Sequence, residues 1–64
     1  MNGNRIRERR ERLKMTQEQL AKKTHISRQT ISALESGSQT DVKISTIKIL
    51  CEALKCKPSY LFSD

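Results

Sequence analysis

The chain has 64 residues, room for one domain and too few to wall a water-excluding catalytic cleft. Its 13 Lys and Arg stand against 7 Asp and Glu, a formal charge of +6, which directs attention to a polyanionic partner, either nucleic acid or an anionic membrane. The longest apolar run, Ile49-Leu50-Cys51, cannot cross a bilayer, and the amino-terminal segment is charged where a secretion signal would be apolar. Cys51 and Cys56 form neither a CxxC pair nor half of a common zinc spacing, and no other ligands complete a tetrahedral site. The plain expectation is a soluble, reduced, cytoplasmic protein whose cysteines are small core residues.

In chain order, residues 4–14 read as a first helix, rich in good formers and capped by Asn4 or Asn2. Ile6 and Leu13 share a face, and Arg10 falls on it between them. Thr16 opens a second helix, because Thr16-Gln17-Glu18-Gln19 fits a capping box. Leu20 and Ala21 point inward, and the helix ends near Thr24. His25-Ile26 makes a turn, and Ser27 caps a third helix whose inward residues are Ile31 and Leu34. Gly37 sits where a helix favours a left-handed terminator. Residues 38–43 form a polar loop. A fourth helix starts near Ser45, with Ile47, Leu50, Cys51 and Leu54 at helical spacing. Pro58 suits the first turn of a short fifth helix carrying Tyr60, Leu61 and Phe62. There is little period-two alternation, so the class is all-α, with short connections normal for a compact helical domain over residues 1–64.

The segment 17–36 contains two short helices and a tight turn, with Leu20, Ala21, Ile26, Ile31 and Leu34 inward. That spacing crosses one helix steeply over the other, as a helix-turn-helix requires. The outer face of the second helix carries Arg28, Gln29, Ser32 and Ala33, polar or small and free of acids. A helix entering a groove about 12 Å wide needs short side chains and a few bidentate readers. Gln29 can pair with adenine and Arg28 with guanine, Ala33 can meet a thymine methyl, and Ser32 can reach base or phosphate. The plainer alternative is an ordinary solvated helix face.

On these residues the chain resembles the Cro/cI-type (xenobiotic-response-element) helix-turn-helix proteins, which include phage repressors. The likeness is carried by Arg5-Ile6-Arg7 with Arg10, by the run from Met15 through Thr16-Gln17-Glu18-Gln19 to Leu20-Ala21, and by Ile26-Ser27-Arg28-Gln29-Thr30-Ile31-Ser32. It continues through Leu34-Glu35-Ser36-Gly37, Leu50-Cys51-Glu52-Ala53-Leu54 and Tyr60-Leu61-Phe62. The resemblance implies a five-helix bundle of the lambda-repressor-like type. It also implies that Gln17, with Thr16 beside it, holds a phosphate. Ser27, Arg28, Gln29, Thr30, Ser32 and Ala33 inherit the DNA-contacting helix, and Ser38, Gln39, Thr40 and Lys43 the loop that clasps the backbone. Helix amino-termini offer free N–H groups and a positive dipole to phosphate, in agreement.

Arg10 and Glu35 are legible without the family. Each is a charge on an otherwise apolar stripe, so two opposite charges there point to a mutual ion pair with an architectural role. The alternative is that both reach water independently. The chain departs from the family pattern at His25, where Gly is usual; a positive φ there would cost His about 1 kcal/mol. Asp41 in the loop opposes phosphate approach, and Lys57 replaces a cap before Pro58. Arg5, Arg7, Arg9, Arg12 and Lys14 ring the first helix, read as general electrostatic attraction with i, i+4 support such as Glu8 with Arg12.

The leading expectation is a sequence-specific regulator, a repressor by resemblance, binding a double-stranded DNA operator as a weak homodimer. Tyr60, Leu61 and Phe62 are the candidate dimer interface, the alternative being that Leu61 or Phe62 simply finishes the core. The alternative is an antitoxin-like or anti-repressor module that uses the same fold to bind protein. A membrane-surface role lacks an apolar face on the first helix, and an enzyme lacks a nucleophile–base pair, a metal cluster or a phosphate-cradling Gly loop. No cofactor and no small-molecule ligand is called for.

Overall fold

Helix ends decide where this short chain turns. The computed structural model describes residues 3–62, except the side chain of Phe62. Its helices are α1 (Gly3–Arg12), α2 (Gln17–Thr24), α3 (Arg28–Ser36), α4 (Ile44–Leu54) and α5 (Pro58–Phe62). Thr16 completes the expected capping box on α2: its hydroxyl oxygen accepts from the Gln19 amide at 3.0 Å, and its own amide donates to Gln19 Oε1 at 2.8 Å. Ser27 caps α3, accepting from the Thr30 amide at 3.1 Å. Lys43 precedes α4 with no side-chain cap.

Among the described residues four positions leave their helices through left-handed backbone: Lys14 (φ 57), His25 (φ 60), Gly37 (φ 83) and Lys55 (φ 54). Only Gly37 does so without a Cβ penalty. The first helix is therefore shorter than residues 4–14, because the reversal at Lys14 stops it at Arg12. Its last carbonyls are taken by the returning chain, with the Lys14 amide on Glu11 at 2.9 Å and the Met15 amide on Arg10 at 3.0 Å.

The apolar stripes converge on one core of Ile6, Leu20, Ile31, Leu34, Ile47, Leu50, Cys51, Ala53, Leu54 and Leu61. α1 packs on α3, α4 and α5, while α2 packs on α3 and α4. Gly3 lets α1 approach the backbone of α3 closely, because a Cβ there would overlap the Leu34 carbonyl. Thr24 is buried without an orphaned hydroxyl, donating to the Leu20 carbonyl at 2.8 Å and accepting from the Ile26 amide at 3.3 Å.

Three expectations need correction. Leu13 is only half-buried, because α1 has ended before it. The 38–43 loop is not wholly polar in its packing, since Val42 rests against the core. Leu61 has no exposed surface and completes the core where α5 closes over α1 and α4, so it is unavailable to a dimer partner. Tyr60 is half-buried, with the Arg5 guanidinium 4.8 Å from its ring centroid. The Phe62 side chain lies outside the described residues.

Candidate nucleic-acid interface

The seat of the surface is an ion pair beneath it. Arg10 Nε donates to Glu35 Oε2 at 2.8 Å, and Arg10 Nη2 to Glu35 Oε1 at 3.0 Å. The side chains are 11% and 5% exposed, so the pair is largely out of water. The hydrogen bond to Glu35 raises the Arg10 pKa above its ordinary value, against an opposing effect of burial. Arg10 Nη1 donates to the Met15 carbonyl at 2.8 Å, tying α1 to the entry of α2 as well as to α3. Glu35 Oε1 also accepts from Gln17 Nε2 at 3.3 Å. One amide proton of Gln17 is thus held against α3, and its Nε2 carries a second donor.

α3 presents its outer row over this base. Arg28, Gln29 and Ser32 are exposed and Ala33 is half-buried. With Gln17, Ser36 and Ser38 they line one concavity of about 470 Å³ that holds no acidic side chain. Ser36 escaped the sequence reading, although it continues the stripe four residues after Ser32. The polar end of α3 is pinned. The Ala33 carbonyl accepts from Ser36 Oγ at 3.1 Å, Ser38 Oγ at 3.3 Å and the Gln39 amide at 3.1 Å.

Other expected site residues lie around this concavity rather than in it. Thr16 lines a neighbouring depression with Gln17 and Arg28. The Ser27 hydroxyl donates to Thr30 Oγ1 at 2.8 Å, so both side chains are occupied at the α3 cap. Gln39, Thr40 and Lys43 are exposed, and Gln39 Nε2 reaches the Asp41 carbonyl at 3.5 Å. Arg7 joins Gln17, Ser32 and Ser36 around a further depression above the ion pair. The ring of cations on α1 divides by role. Arg9 is turned away, its Nε donating to the Leu54 carbonyl at 2.8 Å and its Nη2 to the Lys55 carbonyl at 2.9 Å. It serves the carboxyl end of α4, where a cation meets free carbonyls and a negative dipole. Among the described residues the ion pair that forms within α1 is Arg7–Glu11, at 3.7 Å, and not Glu8–Arg12.

A helix-turn-helix family model matches residues 6–61. The chain belongs to that family. This helix-turn-helix protein is a DNA-binding transcription regulator of the xenobiotic-response-element type, with a lambda-repressor-like helical fold. Comparison with curated proteins and with solved structures gave no match. In this helix-turn-helix protein the motif spans α2 and α3, with His25 at the turn in left-handed backbone (φ 60, ψ 22). The family turn is therefore kept at a position that usually carries Gly. Among the described residues no helix is long and apolar enough to cross a membrane.

Proposed function

We propose that this regulator is a cytoplasmic repressor that binds a palindromic operator as a homodimer, with α3 in the major groove. The observation that carries the reading is the acid-free row of Arg28, Gln29, Ser32 and Ala33, flanked by Gln17 and Ser38 around one concavity. A helix is about 10–12 Å across with its side chains, which suits a groove about 12 Å wide, and the nine residues of α3 give it about 14 Å of length to lie in that groove. Arg28 and Gln29 read base edges, Ala33 packs on a thymine methyl, and Ser32 contacts base or phosphate. Gln17 and the α2 amino-terminus, with Thr16, hold a phosphate on one side. Ser27 and Thr30 form the α3 start that sits closest to the backbone. Ser38, Gln39, Thr40 and Lys43 flank the other side.

The size of the protomer is compatible with a homodimer on such an operator. The protomer measures 24 × 21 × 20 Å, so two recognition helices one helical turn apart, about 34 Å, place two protomers side by side. With Leu61 committed to the core, Tyr60 is the described residue that the candidate contact retains. The decisive experiment is selection of bound sequences from a random duplex library, followed by footprinting on the winner. The reading expects an inverted repeat with centres about 10 base pairs apart, protected on one face. A library that yields no enrichment, and no footprint at moderate salt, would reject DNA reading and return the protein-binding module. Enrichment of a lone half-site would reject the dimer.

A further inference from the structure

Cys51 and Cys56 are free thiols at the carboxyl end of α4, on the core side of the junction that Arg9 holds. The helix ends in a paired-bond reversal: the Cys56 amide donates to the Cys51 carbonyl at 3.1 Å, and the Lys55 amide to the Glu52 carbonyl at 3.4 Å, with Lys55 left-handed. This is the Schellman arrangement, in which a contact between the side chains at the two ends of the longer bond is frequent. Here both of those side chains are thiols. Burial, with the neighbouring Cys56 thiol adding to it, pushes the Cys51 thiol up. A direct backbone bond between two cysteines sets their Cα atoms on the scale a disulfide spans, about 4.4–6.8 Å. Cys51 is 6% exposed, while Cys56 is half-buried and lines a surface groove with Arg9, Lys57 and Tyr60.

We infer that Cys51 and Cys56 form a dithiol that reacts with small-molecule disulfides to close a reversible disulfide across the end of α4. The accessible Cys56 thiolate attacks one sulfur of the reagent. The reagent's S–S bond breaks, one thiolate leaves and takes a proton, and Cys56 carries a mixed disulfide. Cys51 then gives up its proton and attacks the Cys56 sulfur, forming the protein disulfide and releasing the second small thiol. Two protein thiols are oxidised and one small disulfide is reduced to two thiols. Excess small thiol drives the same steps backward. The crosslink encloses Lys55, whose carbonyl Arg9 holds, so oxidation state and the α1–α4 junction become one unit.

The test is equilibration of the full chain with reduced and oxidised glutathione, in native buffer and in concentrated urea, followed by acid quench, alkylation and intact-mass measurement. The expected oxidised species is a monomer with one internal disulfide. Its formation constant should be about tenfold or more larger in native buffer than in urea, because the folded cap holds the thiols together. A Cys51→Ala variant should stop at a glutathione adduct on Cys56. The inference is overturned by a native constant equal to or below that in urea. Accumulation of the adduct or of crosslinked dimers in the wild type would overturn it as well. The wild-type comparison stands even if the variant fails to fold.

Discussion

The Arg10 guanidinium grips the Glu35 carboxylate through two parallel hydrogen bonds of 2.8 and 3.0 Å, joining α1 to α3 beneath the proposed DNA-reading face. Two parallel N–H···O bonds fix orientation as well as distance. Gln17 leans on the same carboxylate at 3.3 Å. The pair therefore sets how α1 sits on α3 and where the first side chain of α2 points.

Arg10→Met should destabilise the domain by about 3–5 kcal/mol, because it strands a nearly buried carboxylate. That is a large part of the stability of any small domain. The double variant Arg10→Met/Glu35→Leu should recover most of the loss, since two apolar groups replace the pair without leaving a charge behind. Chemical denaturation midpoints decide it. An unchanged midpoint in the single variant would remove the pair from the architecture.

Much of the fold was legible because helical periodicity is a local signal. Leu20, Ile31, Leu34, Ile47, Leu50 and Leu54 all reached the core from their spacing alone. The ion pair was legible for the same reason, as two charges on apolar stripes. Arg9 was not, because its partners lie 45 and 46 residues away and its neighbours Arg7 and Arg12 look the same in sequence. Leu61 was open between core and interface, since α5 has only 5 residues and carries no usable period. Val42 stood alone among polar residues, with nothing to mark it as inward. Lysine announces no left-handed cap, so Lys14 and Lys55 went unseen while Gly37 and the turn at His25 did not. In the candidate interface, the continuation to Ser36 was available from the stripe and was overlooked.

His25 adopts φ 60 and ψ 22, a conformation that costs a side chain bearing Cβ. His25→Gly should raise stability by up to about 1 kcal/mol, reduced by the greater freedom glycine gives the unfolded chain. A thermal melt is sufficient. A lower melting temperature would mean that the imidazole makes a compensating contact at the turn.

Arg9→Ala should cost about 1–3 kcal/mol by freeing the Leu54 and Lys55 carbonyls from a charged donor. Because Arg9 faces α4 and not the α3 surface, the preferred DNA sequence should stay the same. Denaturation and library selection on one sample separate the two effects. A changed sequence preference at unchanged stability would reverse the assignment.

Burial pushes the Cys51 thiol from 9.0 to about 11, with Cys56 adding to the effect. Between those values the folded thiol keeps a proton that the unfolded chain has lost. Stability from this group is thus complete below about pH 9 and falls as pH rises through 11, by at most about 2–3 kcal/mol. Other groups titrate in the same window, so the readout is the difference between wild type and Cys51→Ala. The wild type should lose its advantage over the variant, or fall further behind it, across that range. A difference independent of pH would show that Cys51 ionises alike in both states.

Gln29 and Lys43 are exposed, one on the outer row of α3 and one at the start of α4, and they should fail differently on DNA. Gln29→Ala should cost about 1–3 kcal/mol on the selected operator and relax one base position, because a bidentate reader carries sequence information. Lys43→Ala should weaken binding to operator and random duplex alike, and flatten the dependence of log affinity on log salt by about one, since a phosphate contact releases a counterion. Titrations at several salt concentrations on both duplexes provide all four comparisons. Should the two variants lose the same amount on both duplexes, Gln29 reads no base, and the row on α3 is an ordinary solvated face.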